Sequence, residues 1–395
     1  MISRASHLWL PFTQMRDFQR RPHAFVRGLG SALWDAQGHR LFDAVSSIWT
    51  TIHGHAHPKI VAAIAAQAGE LDHATLLGAS NPVAERLAER LCAVAGMDYA
   101  FFASDGASAI EAALKMALQY WQNAGETGRK RFVRLGDAYH GDTIGAMSVS
   151  DIALFRSRFS EITFESRGFE SGAPLGDDVA AVIVEPLVQA AAGMRLVPPA
   201  IYEELGDSGA LIVCDEIATG FGRTGTMFAF EQTALHPDIV CAGKGLSGGT
   251  LALSATLVRR EIYDAFLGDR AEYVHFFHGH SYAGNPIACA AALASLDLFE
   301  EERTLARAAG IAQAAALRLK GLRAHPEVRE VRRAGTMAGI ELASEGWPVA
   351  DALYSAGHFT RPIGNVIQFV PPLCATDDEV HAFFDALEHH VFASP

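Results

Sequence analysis

The chain has 395 residues, of which 50% are hydrophobic and 19% are charged. This apolar content excludes a largely disordered chain, and the length fits one large α/β domain with a smaller attached domain, or two ordinary domains. The 45 acidic residues outnumber the 32 basic ones and give a net charge of −13, which disfavours a nucleic-acid partner because phosphate binding needs a basic surface.

The residue pattern predicts neither a membrane segment nor a metal or disulfide framework. The apolar stretch Ala180–Met194 is interrupted by Glu185 and Pro186, well short of the roughly 20 residues that a membrane span needs. The N-terminal residues lack the apolar core of a secretory signal, and the histidines lack zinc-ligand spacing. The five cysteines are scattered and form no C-x-x-C pair, so we expect reduced thiols and a cytoplasmic location.

The N-terminal segment, residues 1–45, contains turns such as Asp35–Gly38 and predicts a short β-meander. This meander need not belong to the central sheet, and we expect it to pack with the smaller domain. The chain then enters a large domain, which we expect to span residues 46–290.

Short apolar, β-branched runs alternate with amphipathic runs through the large domain. The clearest helical pattern is Ser108–Asn123, whose apolar residues recur at helical spacing. Strands that are apolar throughout are covered on both faces, so the alternation predicts the α/β class with a mostly parallel sheet and helices on both of its faces. The predicted strands are Tyr99–Ala103, Phe132–Leu135, Ala146–Ser150, Ala181–Glu185, Leu211–Asp215, Ile239–Ala242 and Ala252–Val258.

The pattern changes near Pro286, from alternating short runs to long Ala/Leu-rich helical runs followed by short strands. The predicted elements are helices Pro286–Glu302 and Leu305–Leu322, strands Val328–Val331 and Met337–Leu342, and a closing helix Asp377–Phe392. They predict a smaller α+β domain, which we expect to span residues 291–395.

Lysine is rare in this chain, which has only five, and one of them stands in an unusual setting. Lys244 lies in Val240–Gly249, directly after an apolar strand and inside a glycine-rich turn. Poor solvation there lowers the pKa of the ammonium group and makes the amine a nucleophile that forms Schiff bases with carbonyls. The alternative is a lysine at a strand end that extends into solvent.

A second candidate is Asp215, at the end of the apolar strand Leu211–Asp215. An acid in this position lies at the carboxyl edge of an open α/β sheet, where ligands bind. A carboxylate and a Schiff-base lysine are the pair that pyridoxal phosphate requires, because the carboxylate keeps the pyridine nitrogen protonated. Metal binding or Walker-B chemistry at Asp215 is the alternative, although the chain has no G-x-x-x-x-G-K-[ST] loop.

Two loops offer further contacts to such a cofactor. The turn Asp105-Gly106-Ala107 joins a strand to a helix and leaves backbone N–H groups open for a phosphate, although a plain N-cap turn is equally compatible. Tyr139, just beyond a strand end and followed by His140, offers an aromatic ring that stacks on a flat cofactor.

With phosphate turn, stacking tyrosine, strand-end aspartate and glycine-flanked lysine in this order, the chain resembles fold-type I pyridoxal-phosphate enzymes. The string Asp215–Gly225 (DEIATGFGRTG), followed by Pro237–Ile239 and Gly243–Gly245, is similar to that of the class III aminotransferases. The resemblance implies a large domain with a mostly parallel seven-stranded sheet and a smaller α+β domain. Four further segments share the likeness: His7–Met15, Glu111–Trp121, His278–Ala290 and Arg361–Pro372.

The resemblance implies catalytic roles for three residues that would act on pyridoxal phosphate. Lys244 would bond the cofactor covalently and then move a proton. Asp215 would pair with the pyridine nitrogen, while Tyr139 would stack on the ring and border the substrate pocket. His140 would belong to the same cofactor site.

The resemblance further implies how the phosphate is held. The turn Asp105-Gly106-Ala107 would bind it through backbone N–H groups. Ser281, with His280, would reach the phosphate of the partner subunit. A homodimer with shared active sites is therefore expected.

The resemblance also implies a substrate pocket anchored by Arg361. Its guanidinium would bind the carboxylate of a substrate with a long aliphatic chain, a task suited to a bidentate donor. The residues that would line the pocket with it are Phe12, Ile48, Trp49, Tyr139, Lys244 and Gly279.

Within the class, the resemblance is to enzymes that convert 8-amino-7-oxononanoate to 7,8-diaminononanoate in biotin biosynthesis, with S-adenosylmethionine as the expected amino donor. Ile48 and Phe12 stand where the family often has a tryptophan and a tyrosine, so lysine stays open as an alternative donor. Two further alternatives are a class III aminotransferase that acts on an ω-amino acid or a diamine, and a pyridoxal-phosphate binder without catalysis.

Overall fold

The computed structural model describes residues 7–206 and 208–392; the ends of the expected first and last domains, residues 1–6 and 393–395, lie outside them. The strands of the described chain are β1 (Phe25–Leu29), β2 (Ala32–Asp35), β3 (Arg40–Asp43), β4 (Tyr99–Ala103), β5 (Arg131–Arg134), β6 (Arg167–Gly168), β7 (Val179–Val184), β8 (Val188–Gln189), β9 (Arg195–Leu196), β10 (Leu211–Asp215), β11 (Ile239–Ala242), β12 (Ser254–Val258), β13 (Val328–Ala334), β14 (Met337–Leu342), β15 (His358–Phe359) and β16 (Val366–Phe369).

The helices of the same residues are α1 (Met15–Arg20), α2 (Ser46–Trp49), α3 (Pro58–Glu70), α4 (Pro82–Ala95), α5 (Gly106–Asn123), α6 (Ile144–Ser148), α7 (Ala153–Arg156), α8 (Pro199–Gly206), α9 (Arg260–Asp264), α10 (Pro286–Glu301), α11 (Thr304–Leu322), α12 (Gly346–Ser355) and α13 (Asp377–Phe392). Short 3-10 segments cover Ser157–Ile162, Ala229–Gln232, Lys244–Ser247 and Arg270–Glu272. Across the described ranges, every helix is too short or too polar to cross a membrane.

The central sheet has seven strands in the order β4-β12-β11-β10-β7-β5-β6. The strands from β11 to β6 pair in parallel, whereas β12 runs antiparallel to both of its neighbours. Alternate residues of β10 belong to two separate hydrophobic clusters, with Ile212 and Cys214 on one face and Leu211 and Val213 on the other. Both faces of the sheet are therefore buried, and the predicted α/β class with a mostly parallel sheet is confirmed.

One predicted strand of this sheet is wrong. The run Ala146–Ser150 contains the end of helix α6 and the turn after it, and the seventh strand is the two-residue β6 at the sheet edge. So short an apolar run has no periodicity that separates a buried strand from a buried helix. Here α6 packs on α5, which buries Ala146 and Met147 without strand pairing.

A second core lies between the antiparallel sheet β13-β14-β16 and helices α11 and α13. At its centre, Phe369 of β16 meets Phe383 and Phe384 of α13, with ring centroids 5.0 and 4.9 Å from its own. Strands and helices share this core, so the smaller unit of mixed α and β structure is present as expected.

The N-terminal strands β1, β2 and β3 form the predicted meander, and β15 joins β3 in parallel as a fourth strand. Phe42 and Ala44, at the end of this meander, pack into the second core. The expected boundary at residue 290 falls inside α10, where Cys289 and Ala292 belong to the main core. The three-part division of the chain stays a proposal.

Candidate active site

Three parallel strands of the central sheet end side by side and present an amine and two acids. Asp215 is the last residue of β10, Glu185 directly follows β7, and Lys244 closely follows β11. The carboxyl ends of parallel strands meet at one edge of a sheet, which is where open α/β folds bind ligands. We refer to Glu185, Asp215 and Lys244 as the catalytic edge.

Asp215 is paired with His140 in the interior of the protein. Only 4% of Asp215 and 2% of His140 are exposed, and Nδ1 of His140 donates to Oδ2 of Asp215 at 2.7 Å. The other carboxylate oxygen accepts the N–H of Ile217 at 3.0 Å. Within the described residues, Nε2 of His140 is buried without a partner. This arrangement holds a buried carboxylate in one orientation at the edge of the sheet.

Glu185 is a site residue that the sequence reasoning used only as a strand end. Its carboxylate accepts the N–H of Tyr139 at 3.0 Å and that of Ala190 at 3.3 Å. Burial raises the pKa of Glu185 to about 7, and the negative charge of Asp215 acts in the same direction. The available signal was an acid that ends a fully apolar strand, the same signal that identified Asp215.

Tyr139 lies beside these acids in the loop after β5. Its hydroxyl donates to Oδ2 of Asp142 at 2.7 Å, and its ring packs edge-on against Phe155 at a centroid distance of 5.8 Å. Burial raises the pKa of the phenol far above its usual range, with Asp142 contributing. The ring is therefore a fixed, neutral aromatic surface at the site.

Lys244 starts a 3-10 turn in a backbone conformation that L-residues rarely adopt, with φ of 42°. Its neighbour Gly245 leaves room for this turn, because a Cβ there would lie 2.9 Å from Cγ1 of Ile52. Burial lowers the pKa of the Lys244 ammonium, and the opposing attraction of Asp215 and Glu185 is weaker. The ammonium atom Nζ lies 5.2 Å from the ring centroid of Trp49.

Trp49 belongs to α2, a single left-handed turn that no sequence signal indicated. Residues 46–49 all have positive φ, between 48° and 68°, and include the β-branched Ile48. Such strain persists only where the surroundings hold the backbone, and it is concentrated at functional sites. Ile48 and Tyr139 pack against one hydrophobic cluster that contains Trp49, so the turn borders the catalytic edge.

Buried polar groups hold the left-handed turn. Asp43 accepts the N–H groups of Val45 and Ser47 at 3.3 and 3.1 Å, and it also accepts Nε2 of His55 at 2.8 Å. From the other side, the guanidinium of Arg223 donates to the carbonyls of Trp49 and Thr51 at 3.3 and 2.9 Å. Both charged groups are almost fully buried, so the turn is fixed by long-range contacts.

A buried amide connects the turn to the segment that carries Arg361. Oε1 of Gln368 accepts the indole N–H of Trp49 at 2.8 Å, and Nε2 of Gln368 donates to the carbonyl of Arg361. We refer to the turn 46–49 and the segment 360–368 together as the pocket wall.

Arg361 has a desolvated guanidinium without an acidic partner among the described residues. Its Nη2 donates to the carbonyl of Phe12 at 2.8 Å, and burial alone lowers its pKa. The ring of Phe12 packs edge-on against Phe155 at 5.2 Å, and Phe155 in turn contacts Tyr139. A half-buried cation in this position is suited to an anionic group supplied from outside the chain.

The turn before α5 has the features of a phosphate cradle. Asp105 is the N-cap and accepts the N–H of Ser108 at 3.0 Å, whereas the first N–H groups of the helix, from Gly106 and Ala107, have no acceptor within it. A Cβ on Gly106 would lie 2.8 Å from Ile217, so the turn is packed tightly against the loop after Asp215.

Gly279, His280 and Ser281 lie together on an exposed segment. The ring nitrogens of His280 are 3.4 and 3.5 Å from Oγ of Ser104, immediately before the phosphate turn of the same chain. Gly279 and Ser281 are exposed, and Leu77 is the neighbour that a Cβ on Gly279 would meet. A contact of these residues with a partner subunit stays a prediction.

These residues fit pyridoxal phosphate. The catalytic edge contains a desolvated amine and a buried carboxylate that is oriented by a histidine, and a neutral aromatic ring lies beside it. Free N–H groups at a helix start supply a place for its phosphate. These groups provide contacts for the aldehyde, the ring nitrogen, the ring face and the phosphate of this cofactor.

The chain is similar to known proteins over almost its whole length. The model of the family Aminotransferase class-III matches residues 15–171 and 167–391. An adenosylmethionine-8-amino-7-oxononanoate aminotransferase of Aquifex aeolicus is 39% identical over 428 aligned positions, covering 97% of this chain and 94% of the relative. A protein of the same name from Synechococcus elongatus is 40% identical, covering 96% and 97%.

Solved structures resemble the fold equally closely. The crystal structure of adenosylmethionine-8-amino-7-oxononanoate aminotransferase from Methanocaldococcus jannaschii has a TM-score of 0.91 at 36% identity, covering 97% of each chain. An amine transaminase from an uncultivated Pseudomonas species, in its PLP-bound form, also has a TM-score of 0.91, at 33% identity and with 97% and 98% coverage. Both domains of the fold are therefore included in the likeness.

Proposed function

This chain belongs to the class III aminotransferases, and we propose that it converts 8-amino-7-oxononanoate to 7,8-diaminononanoate in biotin biosynthesis. Relatives named for the first of these compounds align with almost the whole chain. The observation that carries the proposal is the half-buried guanidinium of Arg361, which has no carboxylate partner among the described residues and lies in the same pocket wall as Trp49. A carboxylate at the far end of an aliphatic ketone suits this cation.

Class III aminotransferases use pyridoxal 5′-phosphate, which when bound supplies an aldehyde that joins amines and a ring that accepts electrons from the adjacent carbon. The Asp105-Gly106-Ala107 turn would hold its phosphate, and Asp215 would lie at its ring nitrogen. His140 keeps Asp215 in place, and Glu185 holds the backbone N–H of Tyr139, whose ring would stack on the cofactor.

Lys244 performs the proton transfer in this proposal. Because burial disfavours its ammonium form, the free amine, which acts as a nucleophile and as a base, is favoured relative to a solvated lysine. Nζ would take the proton from the carbon that bears the donor amine and pass it to the cofactor carbon that bonds the amine. It would move a proton in the opposite direction when the acceptor receives the amine. The ring centroid of Trp49 lies 5.2 Å from Nζ, so this aromatic side chain borders the reacting amine.

The donor and the acceptor occupy the same pocket in turn. The donor carries its carboxylate beside the reacting amine, whereas the acceptor carries its carboxylate at the far end of an aliphatic chain. Arg361 binds the acceptor carboxylate, while Phe12, Ile48 and Trp49 line the aliphatic part. We propose S-adenosylmethionine as the donor, with lysine as the alternative.

We also propose that the enzyme is a cytoplasmic homodimer with shared active sites. The exposed segment 273–282 carries Tyr273, Phe277 and Tyr282, each more than half exposed, which is unusual for large aromatic side chains. The five cysteines are unpaired, as expected in a reducing compartment. Sedimentation of the cofactor-loaded protein tests the assembly, and a fully active monomer would contradict it.

The visible absorbance of the cofactor-loaded protein tests the donor. Loss of the lysine-bound cofactor band with S-adenosylmethionine but not with lysine would support the proposed donor, and the reverse would replace it. Subsequent recovery of the band on addition of 8-amino-7-oxononanoate would support the acceptor. Ready recovery with pyruvate or 2-oxoglutarate alone would favour an aminotransferase acting on an ω-amino acid or a diamine.

A further inference from the structure

Gln368 is a buried amide whose two polar atoms each bind a different part of the pocket wall. Only 1% of the residue is exposed. Its Oε1 accepts the indole N–H of Trp49 at 2.8 Å, and its Nε2 donates to the carbonyl of Arg361. An amide accepts through its oxygen and donates through its nitrogen, so one neutral side chain can bind both partners.

The backbone of Gln368 is itself fixed. The residue lies in the middle of β16, paired with Gly339 of β14, and its carbonyl accepts the hydroxyl of Thr360 at 2.7 Å. By contrast, the two partners of the side chain lie outside regular strands, one in the left-handed turn and one between β15 and β16. Gln368 thus joins two irregular segments to a rigid sheet.

Trp49 and Arg361, the two partners of the Gln368 side chain, serve different parts of the site. Trp49 borders the reacting amine, with Nζ of Lys244 at 5.2 Å from its ring centroid. Arg361 carries the cation that we assign to the acceptor carboxylate. Within the described residues, the Gln368 amide is the one side chain that hydrogen-bonds both, so its length contributes to the spacing between amine and cation.

We propose that Gln368 is a positioning residue that sets the distance between the carboxylate anchor and the catalytic lysine, and thereby the chain length of carboxylate that the pocket prefers. The proposal rests on the proposed function, because it takes Arg361 as the anchor. It adds to that function a determinant of specificity that need not contact the substrate.

The test uses calorimetry to measure the binding of carboxylates to the cofactor-loaded enzyme. The probes are hexanoate, nonanoate and dodecanoate, which carry a carboxylate and an aliphatic chain but no reacting group. We expect the unmodified enzyme to prefer nonanoate. Gln368→Met, which retains the volume and loses both hydrogen bonds, should weaken nonanoate binding about tenfold and reduce the preference over the other two acids.

Three further variants separate positioning from general damage. Gln67→Met removes a buried amide of α3 that binds the carbonyl of Leu71, just after the helix. It should leave all three affinities unchanged. Trp49→Phe keeps an aromatic ring, although a smaller one, and loses the donor to Gln368. The bond from Gln368 to Arg361 remains, so the effect on nonanoate should be smaller. Combined with Gln368→Met, Trp49→Phe should add less than its separate effect, because both changes break one link.

Each outcome decides the proposal. An unchanged order of preference in Gln368→Met, or an equal loss of all three acids, would overturn it. If Gln368→Met fails to fold, Trp49→Phe with unchanged selectivity would overturn it equally. Gln368-dependent selectivity in an enzyme that does not aminate 8-amino-7-oxononanoate would support the positioning role while rejecting the proposed function. Absence of nonanoate binding by the unmodified enzyme would reject both.

Discussion

The catalytic edge and the pocket wall are built by different means. At the catalytic edge, Asp215 and Glu185 stand where parallel strands end, so the regular sheet places them. At the pocket wall, Trp49 stands in a strained left-handed turn that is held by the buried Asp43 and Arg223. The edge depends on the topology of the fold, whereas the wall depends on a few long-range hydrogen bonds.

This difference predicts that the catalytic edge determines the chemical steps and that the pocket wall determines substrate selectivity. Changes at the edge should affect the proton transfer and the cofactor with any substrate, because both half-reactions use the same groups. Changes at the wall should affect one substrate more than the other. The following variants test that separation, from the largest expected effect to the smallest.

Lys244→Ala should reduce turnover by about 10⁴-fold or more with every substrate, because the group that moves the proton is lost. The fold should persist, since the Lys244 side chain makes no hydrogen bond to another of the described residues. Stopped-flow absorbance with the donor measures the step, and circular dichroism measures the fold. Lys59→Ala, which removes a surface lysine paired with Glu301, is the control and should keep full activity. Near-native turnover in Lys244→Ala would contradict the assigned role.

Glu185 should make the cofactor-free protein less stable as pH rises. Its pKa is about 7 in the folded protein and 4.5 when solvated, so folding favours the protonated form, and stability is lost between pH 4.5 and about 7. The full effect is roughly 3 kcal/mol by linkage. Denaturant unfolding across this range should show a shallower decline in Glu185→Gln.

Glu216 is the matched control for that measurement. It is also buried, burial raises its pKa to about 7 as well, and it binds Thr219 and the N–H of Phe230 away from Tyr139. Glu216→Gln should therefore change the same pH slope but leave the absorbance of the cofactor-loaded protein unaltered. Glu185→Gln should change that absorbance as well, because Glu185 holds the N–H of Tyr139. An identical spectral change in both variants would show that Glu185 has no particular role in placing Tyr139.

Arg361→Ala should raise KM for 8-amino-7-oxononanoate about a hundredfold and leave KM for the donor within about threefold, because the acceptor carboxylate lies at the far end of its chain, where we assign Arg361, whereas the donor carboxylate lies beside the reacting amine. Steady-state kinetics with each substrate varied in turn measures the two values. Arg333→Ala is the control; it removes an arginine on β13 that binds the carbonyl of Gly335, just after the strand. Equal changes in both KM values would mean that the wall does not discriminate between the substrates.

Local sequence pattern indicated Asp215 and Lys244 of the catalytic edge, whereas Trp49 of the wall was named only through the family resemblance, and the reason is physical. Asp215 and Lys244 follow apolar strands, and that pattern is local, so it can be recognised without contacts. The left-handed turn has no glycine to signal it, and Gln368 reads as one polar residue in an apolar run. The strand misassigned at Ala146–Ser150 failed for a related reason, since its packing partner α5 decides its conformation.

Tyr139→Phe should have the smallest effect. The ring keeps its edge contact with Phe155, and only the hydroxyl bond to Asp142 is lost. The phenol pKa is raised well above the physiological range, so the hydroxyl carries no charge that turnover could use. We expect turnover within about threefold and an unchanged pH profile, whereas Tyr139→Ala should weaken cofactor binding about tenfold because the aromatic surface is gone. A shifted pH optimum in Tyr139→Phe would instead make the hydroxyl part of the proton path and extend the catalytic edge to this loop.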